Sequence, residues 1–382
     1  MTKPKIIRAS TVTLSIIFVE GMLSDLMERY EVVLLSSPGP ELDAVMEKHG
    51  VKGIALPMER HISLRRDAVS LWRLVKVLCR ERPLMVHSMT PKAGLLCMVA
   101  AWLTRVPVRV HTFTGLVWPT ATGLKRRILK ATDRLTCACA THIIPEGEGV
   151  KHDLQTGGIS RKPMRVLGYG NVRGIDMVRF SMRKEIAVMA DSIRKDGIFT
   201  FIFVGRIVGD KGINELVAAF QQLNAEIPLT RLLLVGYYET ELDPVSEATR
   251  DTIKQNSNIE VMGERWDDEL VACYAAADCF VLPSYREGFP NTVLEAGAMG
   301  LPSIVTDING SREIIEDGVN GIIIPPRDER ALYQAMIRTA TDTDYTVRMA
   351  SIARKRIANR YEQSYVRQCL YDFYDEILKI NV

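Results

Sequence analysis

Short apolar runs alternate with amphipathic helical stretches along the whole chain, and this alternation restricts the fold more than any other feature. In the front half the strand-like runs are Lys5–Ser10, Glu31–Ser36, Leu84–Ser88, Val106–His111 and His142–Pro145. Helical patterns lie between them at Leu64–Arg82, Pro91–Thr104 and Gly123–Cys137. The back half repeats the scheme with Phe199–Val204, Arg231–Val235, Ile259–Met262, Cys279–Leu282, Ser303–Thr306 and Gly321–Ile324. Runs this short and this apolar, separated by helices, predict α/β architecture with parallel sheets covered on both faces. A chain of 382 residues exceeds what one core usually serves. The two sets of runs therefore predict two Rossmann-like domains. The break is expected near Arg179–Asp196, where a charged stretch follows the Gly-rich run Gly168–Gly174. From Tyr345 onward Ile357, Tyr361, Tyr365, Cys369, Leu370, Phe373 and Ile377 recur at steps of three and four, which predicts one continuous apolar helical stripe.

Charge is distributed unevenly. The net +3 conceals a front half, residues 1–180, with 27 basic against 15 acidic side chains, and an acidic back half. A basic half points to an anionic partner. The seven cysteines include no CxxC pair and no zinc-type spacing, so buried free thiols are expected. MTKPKIIRAS has neither an apolar core nor a small-residue cleavage site, so no signal peptide is expected. The longest apolar run, Gly94–Leu103, is about half what a bilayer requires. A cytoplasmic protein, at most peripherally attached to a membrane, is the expectation.

In doubly wound sheets ligands bind beyond the carboxyl ends of strands. Neither GxGxxG nor a Walker A sequence stands at those ends, which argues against hydride transfer and nucleotide triphosphate hydrolysis. After Phe199–Val204 come Gly205 and Arg206, then Lys211 and Gly212, and the two cations are suited to a diphosphate. After Cys279–Leu282 the chain reads Pro283-Ser284-Tyr285-Arg286-Glu287-Gly288-Phe289-Pro290-Asn291-Thr292-Val293-Leu294-Glu295. Pro290 is placed to open a helix, whose first N–H groups form a ready anion site. Glu287 and Glu295 flank that helix start and can accept pairs of sugar hydroxyls.

This combination, with Gly300-Leu301-Pro302 and Gly318-Val319-Asn320-Gly321 downstream, resembles the retaining family-4 (group 1) glycosyltransferases of GT-B fold. The segments His87–Gly94 and Val108–Gly115 are similar to the bacterial branch that builds capsular, exopolysaccharide and lipid-linked oligosaccharide chains. The resemblance implies two Rossmann-like domains facing a cleft. Residues 1–180 would bind acceptor, 181–360 would bind donor, and 361–382 would form a helix returning to the first domain. It assigns Arg206 and Lys211 to the donor diphosphate, Glu295 to the ribose and Glu287 to the transferred sugar. Gly205 and Gly288 to Thr292, with Phe289, Pro290 and Asn291 between, would approach sugar and phosphate. The base, expected to be the uracil of a UDP-linked donor, would meet Met262, Gly263 and Arg265. Thr90, Lys92, Thr114 and Gly115 would lie on the acceptor side.

The sequence departs from this branch at Thr114 and Met89, places where histidine is frequent. His111 remains a candidate catalytic residue or, equally, a core imidazole. The resemblance further implies a metal-independent reaction on a polyprenyl-diphosphate-linked or glycan acceptor. No recognised nucleic-acid-binding motif accompanies the basic half, so nucleic acid is not an expected partner. A nucleotide-sugar epimerase, a phosphorylase or a non-catalytic nucleotide-sugar-binding protein would reuse the same residues. Two basic stretches carry apolar residues among their charges and suit an anionic membrane surface. The first is Arg60, Arg65, Arg66, Arg73 and Lys76 with Leu64 and Trp72. The second is Lys125, Arg126, Arg127, Lys130 and Arg134 with Trp118, Leu124 and Ile128.

Overall fold

The computed structural model describes residues 3–59, 63–239 and 243–379 and divides into two units. The first comprises residues up to Arg173 together with Val366 onward, and the second spans Gly174–Tyr365. The division thus falls ahead of the charged stretch Arg179–Asp196, because backbone pairing draws the chain into the second unit earlier. Ile175 N–H donates to Tyr361 O (2.7 Å), and Gln363 N–H donates to Ile175 O (2.9 Å). Much of the charged stretch is a helix, Lys184–Ile193, packed on the helix Asp267–Ala275.

The first unit holds β1 (Lys5–Ala9), β2 (Glu31–Ser36), β3 (Lys52–Ala55), β4 (Met85–Met89), β5 (Val108–Phe113) and β6 (His142–Pro145). All pair in parallel, in the order β3-β2-β1-β4-β5-β6. The second unit holds β7 (Phe199–Val204), β8 (Thr230–Val235), β9 (Ile259–Gly263), β10 (Cys279–Leu282), β11 (Ser303–Thr306) and β12 (Gly321–Ile324). Its order, β12-β11-β10-β7-β8-β9, repeats the same winding. Each sheet starts at its centre, lays strands to one side, then crosses over and lays the rest to the other. The reversal leaves a crevice between the first and fourth strands of each unit, where ligands of doubly wound sheets sit. In the second unit that crevice opens between β7 and β10.

The apolar runs form these strands because both faces are covered. Phe201, Ile202 and Phe203 of β7 and Phe280 and Val281 of β10 are wholly buried. β3, with the sequence KGIA, is an additional strand that no apolar run marks; as an edge strand it needs none. The foreseen run Val106–His111 is paired two residues further on, as Val108–Phe113.

The expected single C-terminal stripe is two helices, Thr343–Tyr361 and Gln363–Lys379, separated at Glu362. The apolar phase runs through the break, yet the two helices serve different cores. Ile357 and Tyr361 pack in the second unit, whereas Leu370, Tyr371, Phe373, Tyr374, Ile377 and Leu378 pack against β1, β2 and the helix Leu23–Arg29 of the first.

Candidate functional site

The loop Gly205–Gly212 leaves β7 and the loop Pro283–Pro290 leaves β10, so adjacent strands deliver them side by side. Their backbones are nearly in contact. Gly212 has φ +71°, and a Cβ there would collide with the carbonyl oxygen of Pro283, so both conformation and space require glycine. Tyr285 N–H also donates to Asp210 O (2.9 Å), and Arg286 pairs with Asp210 (3.1 Å).

This junction positions the charged residues. Lys211 ends a short turn, Gly209–Lys211, and its ammonium bonds Glu287 Oε1. Ser284 Oγ donates to the same carboxylate oxygen at 2.7 Å. Both partners are mostly buried, with 19% and 15% of their side chains exposed, so solvent screens the pair little. Thr306 Oγ donates to Ser284 O, which fastens the Pro283–Pro290 loop to β11. Arg206, partly exposed on the β7 loop, has no carboxylate partner among the described residues.

The helix Asn291–Ala298 begins directly after this loop, with Pro290 as its N-cap rather than its first residue. Glu295 lies on its buried side, 8% exposed, and accepts a hydrogen bond from Tyr274 Oη at 3.0 Å. Phe289, also buried, packs its ring 5.5 Å from that of Tyr361. Arg206, Lys211, Glu287, Gly288 to Thr292 and Glu295 therefore occupy two neighbouring loops and one helix start. Two cations, the N-terminal end of a helix and two carboxylates suit a ligand that is anionic at one end and rich in hydroxyls elsewhere.

Met262, Gly263 and Arg265 stand apart from this group, at the carboxyl end of β9. That edge strand is two positions from β7, roughly 10 Å at ordinary strand spacing. Gly263 O accepts from Gly236 N–H (2.9 Å), and Arg265 pairs on the surface with Glu269 (3.4 Å). A nucleoside diphosphate is long enough to reach from the loops to this edge. Asp342 caps the helix Thr343–Tyr361 by accepting from Tyr345 N–H at 3.0 Å.

In the first unit the corresponding crevice lies between β1 and β4. Thr11 Oγ and Thr90 Oγ bond each other across it at 2.7 Å, and Thr11 Oγ also accepts from Ala93 N–H at 3.0 Å. Thr90 has φ +73°, a conformation that costs a β-branched residue of order 1–3 kcal/mol. Lys92 is held by both carboxylate oxygens of Asp67 at 2.7 and 2.6 Å. Thr114 and Gly115 are partly exposed on the loop after β5.

His111 is an interior residue. It is 1% exposed, its Nδ1 lies 2.9 Å from Ser88 Oγ, and its ring is packed edge-on to Phe113. Gly94 leaves the room for it, since a Cβ at Gly94 would run into the imidazole. Burial lowers its pKa to about 3, partly opposed by the Ser88 bond, so the ring is neutral. His87 is likewise buried, between Thr112 Oγ (2.7 Å) and the guanidinium of Arg8 (2.9 Å). An arginine cannot accept a hydrogen bond, so His87 Nδ1 carries the lone pair and Nε2 the proton.

The basic helices Leu64–Glu81 and Gly123–Cys139 flank the helix Pro91–Leu103. They expose Leu64 (85%), Leu124 (71%) and Trp72 (57%) among their charges. Trp118, expected in this exposed set, is instead buried, with Lys130 Nζ 4.8 Å and Arg126 5.8 Å from its ring centre. Arg60 lies outside the described residues. No helix among the described residues is long and apolar enough to cross a membrane.

Two family models match the chain: a glycosyl transferase 4-like domain over residues 17–170, and glycosyl transferases group 1 over residues 198–342. The capsular polysaccharide biosynthesis glycosyltransferase CapM of Staphylococcus aureus is 31% identical over 99% of both chains. An Escherichia coli enzyme, UDP-Gal:alpha-D-GlcNAc-diphosphoundecaprenol alpha-1,3-galactosyltransferase, is 28% identical over 87% of this chain and 86% of its own. Among solved structures, Anabaena HepE in complex with UDP superposes with a TM-score of 0.80 at 18% identity, covering 97% of this chain and 100% of that one. That likeness is one of fold, and the fold is GT-B.

Proposed function

The chain belongs to the group 1 glycosyltransferases, and on that premise we propose a retaining transfer from a nucleoside diphosphate sugar, with uridine as the nucleoside, to a lipid-linked glycan acceptor. The observation that carries this reading is the meeting of Lys211, Glu287 and the start of the helix Asn291–Ala298 at the β7–β10 crevice. Lys211 and Arg206 hold the diphosphate, and Glu287 takes hydroxyls of the transferred sugar. Glu295 takes the ribose, and Met262, Gly263 and Arg265 meet the base. Uridine is supported by the UDP-linked relative and the UDP-bound neighbour, and the lipid-linked acceptor by the former.

In the reaction the bond between the anomeric carbon and the diphosphate oxygen breaks, and the acceptor oxygen bonds to that carbon on the same face. The acceptor proton passes to the departing phosphate oxygen. Preorganised cations and N–H groups stabilise the charge that develops on that oxygen, a role that needs no metal when two side-chain cations supply it. His111, neutral and enclosed, takes no part. Thr90, Lys92, Thr114 and Gly115 in the first unit belong to acceptor binding.

Purified protein given UDP-sugars and a polyprenyl-diphosphate-linked acceptor should release UDP only when both are present. Release or isomerisation without acceptor would indicate hydrolysis or epimerisation instead.

The exposed leucines and Trp72 among the cations of two helices support peripheral attachment to the inner face of the cytoplasmic membrane. In flotation assays the protein should rise with vesicles containing anionic lipid and remain behind with neutral ones. Replacing Leu64 and Leu124 by aspartate should abolish the difference, and equal recovery of the unaltered protein on both vesicles would remove the proposal.

A further inference from the structure

Tyr274 lies on the helix Asp267–Ala275, outside the loops that carry the donor-site residues, and is completely buried. Its ring is wedged between Phe180 (centroids 6.3 Å apart) and Phe280 (6.1 Å), which fixes where its hydroxyl points. That hydroxyl reaches one turn of the helix Asn291–Ala298. It stands 3.0 Å from Glu295 Oε2 and 3.5 Å from Thr292 O. A phenol has one proton to give, and the shorter contact, to the carboxylate, is the stronger acceptor. Burial, and next the charge of Glu295, raise the phenol pKa well above its ordinary value, so the donor proton stays in place.

We infer that Tyr274 is a positioning residue for donor recognition: its hydroxyl fixes the Glu295 carboxylate in the orientation that accepts the ribose hydroxyls. It thereby sets the preference for ribonucleoside over deoxyribonucleoside diphosphates. The inference rests on the reading that Glu295 binds the ribose. A carboxylate grips a vicinal diol through two directed bonds, so its rotation matters as much as its charge. A glutamate carboxylate turns about its last two torsions to the extent that its partners allow. A hydroxyl held by two aromatic neighbours removes that freedom in advance of binding.

Isothermal titration of UDP, 2′-deoxy-UDP and 3′-deoxy-UDP tests this on three proteins. The unaltered protein should prefer UDP, and Glu295→Gln should lose most of that preference. Tyr274→Phe keeps the ring and its packing. It should reduce the preference roughly tenfold, about the value of one hydrogen bond to a charged group. Affinity for the deoxy compounds should stay nearly unchanged. A purely structural role for Tyr274 weakens all three ligands equally and leaves the ratio intact. An unchanged ratio in Tyr274→Phe, beside a collapsed one in Glu295→Gln, overturns the inference and spares the ribose reading. No preference in the unaltered protein, or an undiminished one in Glu295→Gln, overturns that reading and the inference with it. The ratio does not depend on the folded fraction, so partial unfolding of a variant does not obscure the result.

Discussion

Replacing Lys211 with alanine should lower kcat by about two to three orders of magnitude and change the donor KM far less. The asymmetry follows from where the charge is needed. Bound donor already carries a diphosphate, which Arg206 and the N–H groups of the helix Asn291–Ala298 also contact in the proposed complex. Only in the transition state does the bridging oxygen gain a further share of negative charge. A point cation held by Glu287 and enclosed by protein is suited to meet it. The same substitution leaves Glu287, only 15% exposed, with the Ser284 hydroxyl at 2.7 Å in place of a cation. A modest loss of stability is therefore expected besides the loss of turnover, and steady-state kinetics on protein of verified melting behaviour separates the two. Full turnover in a folded Lys211→Ala protein would remove the residue from the mechanism.

Ending the chain after Tyr365 should unfold the first unit while leaving the second folded. The segment removed supplies Leu370, Tyr371, Phe373, Tyr374, Ile377 and Leu378, each less than 8% exposed. At about 1.5–3 kcal/mol per buried side chain the loss is on the order of 10 kcal/mol, comparable with the whole stability of a domain. Polar losses add to it. Arg8, 3% exposed, bonds Tyr374 Oη and His87, and loss of Tyr374 removes one of the neutral acceptors that hold this buried cation. Asp375 likewise pairs with Arg29 at 3.3 Å, and Tyr371 with Asp25 at 2.8 Å. Limited proteolysis followed by mass spectrometry should show residues 1–173 cut throughout and residues 174–365 protected. Protection of both regions would show that the helix contributes little.

Much of this organisation is legible in the sequence. Strands such as β7 and β10 announce themselves because burial on both faces demands continuous apolar runs. The loops after β7 and β10 stand out because both lie at carboxyl ends of central strands, where doubly wound sheets bind ligands, and carry Arg206, Lys211 and Glu287 together. What escaped depended on contacts distant in sequence. The break at Glu362 is hidden by an apolar phase that continues across it. The boundary at Arg173 depends on Ile175 pairing with a segment near Tyr361. Tyr274 sits within Ala272-Cys273-Tyr274-Ala275-Ala276, where it looks like one more core residue. His111 was open between chemistry and core, and Gly94, on another element, decided it. Trp118 went the same way, covered by Arg126 and Lys130 of the helix that follows it.

The return of residues 366–379 to the first unit also imposes an order on synthesis. The ribosome makes the β1–β6 region first, yet that region lacks part of its core until the helix Gln363–Lys379 has been translated. The β7–β12 region is contiguous, so it can close while the earlier part waits. At roughly 5–20 residues per second, the nearly two hundred residues between Arg173 and Val366 take about ten to forty seconds. During that interval the apolar surface that Phe373 and Tyr374 will cover stands exposed. The middle of the chain can thus close before its beginning, whose core waits for the final helix.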